Sequence, residues 1–237
     1  MIALSGRAKL WGLFDHPRSE MTRLDRRERI MATGFAAMAG MVDAIGFLAS
    51  GGFFLSFMSG NSTRLSIGLA EGAPYVFVVA ALIISFVGGV IWGSLIGNSP
   101  GTAVNKRQAM ILAGISILLF VAPVLADFGW LLAAISLAAF CMGAENTLYE
   151  REGSVSFGLT YMTGALVKIG QGLATMVRGA SKTAWLPYLF LWAGLIGGAV
   201  IGAMLFAKYA VYSLWVPAIL AALFAAIMIS VKPLPRP

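Results

Sequence analysis

The chain is 237 residues long, with 59% hydrophobic and 11% charged residues. A soluble domain is roughly half apolar and about a quarter charged, so this composition excludes an ordinary water-soluble fold. The net charge of +7 could suggest nucleic acid, but seven of the seventeen basic residues (Arg7, Lys9, Arg18, Arg23, Arg26, Arg27 and Arg29) lie in the first thirty positions, directly before an apolar run. Basic residues beside a membrane helix hold that flank in the cytoplasm, and they favour anionic lipid over nucleic acid as the partner.

The N-terminus lacks the long apolar stretch and small-residue cleavage pattern of a signal peptide. Residues 1–29 read as a cytoplasmic basic segment that stays on the protein, residues 30–231 as a transmembrane domain, and 232–237 as a short cytoplasmic tail. A helix needs about 20 apolar residues to cross the hydrocarbon core. Six runs meet or approach that length, at about 30–50, 75–97, 108–126, 129–148, 185–207 and 211–231. Glu71–Pro74, Gly97–Gly101, Asp127–Gly129 and Tyr149–Ser154 punctuate them as turns and loops.

Two further segments are polar at their centres: Phe53–Leu69 (FFLSFMSGNSTRLSIGL) and Phe157–Val177 (FGLTYMTGALVKIGQGLATMV). Each carries one base, Arg64 or Lys168, and glycine beside a small hydroxyl residue at mid-length. Backbone that leaves helical geometry at membrane depth is shielded by protein or lines a wet cavity. Both are expected to be broken or re-entrant.

The chain also contains a copy of itself. Met58-Ser59-Gly60 matches Met162-Thr163-Gly164 at an offset of 104, which also aligns Arg64 with Lys168 and Gly68 with Gly172. In the next helix Gly88-Gly89 matches Gly197-Gly198, and Gly93 matches Gly202, at 109. Asp43 and Glu145 fall in equivalent helices at 102. The repeats run about 30–126 and 129–231.

If the two odd segments do not cross, each half has three spans and the halves are inverted. Lys106, Arg107, Arg151, Arg178, Lys182, Lys232 and Arg236 then join the N-terminal bases in the cytoplasm and the outer loops carry one base, Lys208. Eight spans would move Lys106, Arg107 and Arg151 outside. The positive-inside rule favours the first arrangement. The predicted fold is all-α: a polytopic transmembrane helical bundle of six full spans plus two broken or re-entrant helical segments, in two inverted repeats.

Asp43 lies about 20 Å along its helix at 1.5 Å per residue, and Glu145 and Asn146 near the end of the equivalent one. A charge in hydrocarbon costs at least about 3 kcal/mol on insertion scales, so such groups face the protein interior and find partners. The expected pairs are Asp43 with Arg64 and Glu145 with Lys168. These groups either sit by a solute or proton path or lock segments as fixed ion pairs. Ser59, Gly60 and Asn61 in one half, and Tyr161, Thr163 and Gly164 in the other, offer hydroxyls, an amide and backbone for a midplane site between broken helices. The bland alternative is close packing of small residues. Packing is the expected role of Gly89, Gly93 and Gly97 and of Gly194, Gly198 and Gly202, whose four-residue spacing places them on one helix face. Such faces join helices within one chain or in a homo-oligomer.

Catalytic motifs are missing: no histidine lies in the membrane part, and no phosphate loop or dinucleotide fingerprint stands out. His16 and Cys141 are the only residues of their kinds, which argues against a metal site. No enzyme activity, cofactor or metal is expected.

Gly40-Met41-Val42-Asp43-Ala44-Ile45-Gly46-Phe47, followed by Phe57-Met58-Ser59-Gly60-Asn61, resembles the YoaK family of bacterial membrane proteins, also called domain of unknown function 1275. Ser59 stands where that family usually has threonine. The resemblance spans about residues 28–231. It implies a multi-pass protein of the bacterial inner membrane and implies no substrate. The expected function is a small-solute transporter or channel-like permease, with a membrane scaffold or accessory subunit as the alternative. A polar cavity joining Asn61 and Thr163 would favour transport, and a dry centre a scaffold.

Overall fold

The computed structural model describes residues 25–99, 102–151, 154–155, 159–179 and 183–230. The basic residues before Asp25, His16, Lys182 and the tail 232–237 lie outside them. The described chain is helical, apart from an antiparallel pairing of Glu150–Arg151 with Ser154–Val155. In chain order the helices are α1 (Arg26–Ala49), α2 (Met58–Glu71), α3 (Val76–Gly97), α4 (Val104–Asp127), α5 (Leu131–Glu145), α6 (Met162–Val177), α7 (Leu186–Tyr209) and α8 (Trp215–Ser230), with a 3-10 turn at Ala210–Leu214 joining the last two.

By length and apolarity α1, α3 and α4 can each cross a membrane, as can the continuous stretch Leu186–Ser230 that holds α7 and α8. Helix α5 is shorter than the run 129–148 that predicted it. Its regular part ends at Glu145, and turns fill 146–149. The outer faces carry large exposed apolar side chains, such as Phe77, Ile84, Leu95, Met204 and Ile229. In water such faces would drive aggregation; lipid is the solvent they fit.

Helix α1 starts on a capping box. Asp25 Oδ1 accepts from the Glu28 amide at 2.7 Å, and Glu28 Oε2 accepts from the Asp25 amide at 3.0 Å. These bonds satisfy two of the amides that a helix start leaves unpaired.

Two glycine-lined contacts hold the bundle together. On α7, a Cβ on Gly198 would collide with the carbonyl oxygen of Ala37, and one on Gly202 would lie 2.5 Å from that of Met41. On α3, a Cβ on Gly89 would collide with the Phe140 carbonyl, and one on Gly93 with Thr147 and the Ala144 carbonyl. The partner helices answer in kind. Gly40 of α1 sits against the backbone of Leu195 and Ala199, and Gly143 of α5 against that of Phe86 and Val90. Backbones meet this closely because the glycine on one side has no Cβ to hold them apart. In both contacts the numbering rises together by fours, so α1 runs parallel to α7 and α3 parallel to α5. Gly194 adds to the first, against Thr33. Gly97 was expected in the second, but a Cβ there would meet nothing within 4 Å; it lies past the point where α3 and α5 touch.

The helix ends fix which elements share a side of the bundle. At one end Tyr149 donates to the carbonyl of Glu28 at 3.0 Å, Gln108 Nε2 to that of Leu148 at 2.8 Å, and Asn105 Nδ2 to that of Met228 at 3.2 Å. Arg107 Nη1 donates to the Gly97 carbonyl. The start of α1, the end of α3, the start of α4 and the ends of α5 and α8 therefore lie together. At the other end Tyr212 donates to Asp127 Oδ2, and Trp215 Nε1 donates to the Phe120 carbonyl at 3.1 Å.

Candidate functional site

The site is built on the loop after α1. Gly51 (φ 75°) and Gly52 (φ 116°) supply the left-handed backbone that reverses the chain. Ser50 Oγ accepts from the Phe53 amide at 3.0 Å and pins the exit. Residues 53–57 then run back along α1 without helical bonding. Asp43 explains why this backbone is tolerated at depth. Its Oδ1 accepts from the amides of Leu55 at 2.7 Å and Ser56 at 2.8 Å. Six residues separate Asp43 from the end of α1, which sets this contact about 9 Å along the helix axis from that end. Leu55 is fully buried and Ser56 nearly so. Gly46 leaves the space that the Leu55 side chain fills.

Asn61 completes the clamp from α2. It is fully buried; its Oδ1 accepts from the Phe54 amide at 3.0 Å, and its Nδ2 donates to the Phe54 carbonyl at 2.7 Å. The backbone break precedes Met58, so Ser59, Gly60 and Asn61 are helical rather than broken. Gly60 makes room for the Phe57 ring. Ser59 is exposed, as are the hydroxyl residues Ser62, Thr63 and Ser66 on the same helix. The first turn of α2 has no side-chain cap.

Arg64 does not pair with Asp43. Its guanidinium lies 5.4 Å from the centre of the Phe53 ring, over its face. Such a stack holds a cation in a partly apolar place without a counter-ion. The Phe53 ring in turn meets the Tyr75 ring at 5.7 Å, and Gly68 lies under Tyr75 and Val76. The start of α3 thus sits beside the loop that ends α1.

The second half builds a similar joint with a different acceptor. Asn146 Oδ1 accepts from the Thr160 amide at 3.3 Å and the Thr160 hydroxyl at 3.1 Å. Leu159 is fully buried, like Leu55. Gly164 makes room for the Tyr161 ring as Gly60 does for Phe57, and Gly172 for Trp185 as Gly68 does for Tyr75. Asn146, not Glu145, therefore does the work of Asp43. Tyr161, just before α6, and Thr163 and Lys168 on it are exposed. Residues 156–158, which lead into this joint, lie outside the described residues.

Glu145 was expected to pair with Lys168. It is fully buried, and among the described residues neither carboxylate oxygen has a hydrogen-bond partner. Lys168 stands exposed on another element. Among the described residues no cluster of three His, Cys, Asp or Glu could hold a metal ion.

The two joints are not brought together into one polar chamber by these bonds. Between them lies a continuous apolar core that includes Phe35, Met38, Leu55, Ile111, Met142 and Leu159. Sequence reasoning found the acid and the amide of the first joint. It missed Leu55 and Leu159, because a lone leucine outside a helix has no periodic signal, and it missed Gly40 and Gly143 as packing residues.

Comparison with known proteins gives the same assignment along the chain. The family model described as "Protein of unknown function (DUF1275)" matches residues 31–227. "UPF0700 transmembrane protein RA0705" of Rhizobium meliloti (strain 1021) is 36% identical over 197 residues, covering 83% of this chain and 84% of that protein. "UPF0700 transmembrane protein YoaK" of Bacillus subtilis (strain 168) is 27% identical over 197 residues, covering 77% and 85%. No solved structure matches. With its apolar helices and its curated transmembrane relatives, the chain is a multi-pass membrane protein that belongs to the DUF1275 family.

Proposed function

We propose that the protein is a small-solute transporter or channel-like permease of the bacterial inner membrane, with both termini cytoplasmic and no enzymatic step. The observation that carries this reading is the doubled joint. Each half holds a non-helical stretch on a polar side chain of its first helix or of that helix's C-cap, then starts a helix whose first turn has no side-chain cap. Uncapped helix starts inside a membrane protein present amides and the positive end of the helix dipole to a solute.

The helix directions support two inverted repeats. If α1 runs outward, its contact with the start of α3 through Phe53 and Tyr75 makes α2 re-entrant. Helix α3 then returns inward, α4 goes outward and α5 inward. Parallel packing sends α7 outward with α1, and α8 returns inward. The halves thus cross three times each in opposite senses. Asp43, Ser59, Gly60, Asn61 and Arg64 would line or gate one end of the path, and Glu145, Asn146, Tyr161, Thr163 and Lys168 the other.

The apolar core between the joints favours a second reading, a membrane scaffold or accessory subunit. For transport, that core is the closed state, and the joints must move apart for solute to pass. Purified protein in liposomes decides between them. The transport reading expects saturable flux of at least one solute in a panel of small ions, amino acids and sugars. It also expects Arg64→Ala to lower that flux several-fold in folded protein, since the ring contact with Phe53 is not one that holds the helices together. A stable, folded protein that passes none of the panel supports the scaffold.

A further inference from the structure

Glu145 has no part in either joint, yet it is the most deeply placed acid described. One turn below it the Leu148 carbonyl accepts from Gln108 at 2.8 Å; one turn above it Cys141 Sγ donates to the Ile115 carbonyl at 3.8 Å. Glu145 therefore sits at the level of Ile111 and Leu112, both essentially inaccessible. Its position in the first half, by the offset of 103 that relates Asp43 to Asn146, is the fully buried Val42. A carboxyl group stands where the other half keeps a hydrocarbon.

The charges on the neighbouring helices do not meet it. Helix α3 carries none. On α4, Lys106 and Arg107 lie at the helix start, where Arg107 Nη1 is spent on the Gly97 carbonyl, and Asp127 lies at the far end with Tyr212. On α1, Arg26, Arg27, Glu28 and Arg29 occupy the first turn, and Asp43 holds the Leu55 and Ser56 amides. Neither Glu145 oxygen finds a donor from any of these.

An ionised carboxylate cut off from water, cations and N–H donors is far costlier than a neutral one. We propose that Glu145 is a proton-binding site: the carboxyl is neutral in the closed bundle and gives up its proton only when the α4–α5 contact opens to water. The bound species is a proton rather than a metal ion, because among the described residues no cluster of three His, Cys, Asp or Glu forms around it. The inference rests on the transport reading for its purpose, as the site where opening and proton release are coupled, but its test needs no flux.

The test is infrared spectroscopy of the full chain in lipid at pH 7. A carboxylic-acid C=O stretch that shifts down in deuterated water is expected in the wild type, and Glu145→Gln should lose it completely. Absence of the band, or a band unchanged in Glu145→Gln, overturns the proposal. Should that variant fail to fold, dicyclohexylcarbodiimide on the wild type decides. This apolar reagent takes the acid O–H across one C=N bond: the oxygen joins carbon, the proton goes to nitrogen, and rearrangement leaves a stable N-acylurea with no leaving group. Modification mapped by mass spectrometry to Glu145 supports the site; an unmodified Glu145 in protein labelled elsewhere overturns it. A failed flux screen would leave this result standing, and a missing band would leave the flux result standing.

Discussion

Gly198→Ala is expected to destabilise the folded protein by about 3 kcal/mol, the upper part of the range for overpacking a close-packed core. The added methyl would run into the carbonyl oxygen of Ala37. Backbone cannot rotate out of the way as a side chain can, so α1 and α7 must separate along the whole contact. Gly40→Ala should do the same from the facing side, against Leu195. The neighbouring Gly197→Ala and the predicted packing residue Gly97→Ala are controls, since a Cβ at either meets nothing within 4 Å. Alanine favours a helix over glycine by up to about 1 kcal/mol, so these variants should match or exceed the wild type. Thermal unfolding in one detergent reads all four. Equal damage from Gly197→Ala and Gly198→Ala would show that α7 does not present this face to α1.

Asp43→Ala carries the second large effect. It strands the buried amides of Leu55 and Ser56, each costing about 1–3 kcal/mol when left without an acceptor. A loss of about 3 kcal/mol is expected, with faster hydrogen exchange at those two amides. Asp43→Asn keeps an oxygen in place and should lose less, about 1 kcal/mol, the difference between a charge-assisted and a neutral bond. The second half already runs its joint on an amide, Asn146 with Thr160. If Asn and Ala prove equally damaging, the carboxylate does something other than hold this loop. In liposomes, unchanged flux and pH dependence in Asp43→Asn would remove Asp43 from the solute path.

The membrane helices were legible because lipid demands long uncharged runs, and the glycine stripes because a four-residue step keeps small residues on one face. Partners were less legible. Asp43 was recognised as an acid that must be satisfied, but the donors are backbone amides twelve and thirteen residues on, and amides carry no sequence signature. Arg64 was assigned a carboxylate when an aromatic ring one loop away sufficed. In the second half the correspondence slipped by one position, from Asn146 to Glu145. One residue turns a helix by about 100°, enough to move a side chain from the joint into the core. The mid-segment glycines suggested broken helices there, whereas Gly60 and Gly164 sit inside first turns and accommodate aromatic rings.

In the proposed topology α2 and α6 dip into the bilayer and return, so that the two halves face opposite ways. Cysteine accessibility in intact cells tests it directly. In a Cys141→Ala background, Glu71→Cys and Arg178→Cys place single thiols at exposed positions at the end of α2 and just past α6. A membrane-impermeant thiol reagent is expected to label Glu71→Cys in whole cells and Arg178→Cys only after the membrane is opened. Labelling of both from the same side would mean that both segments cross, and would contradict that topology.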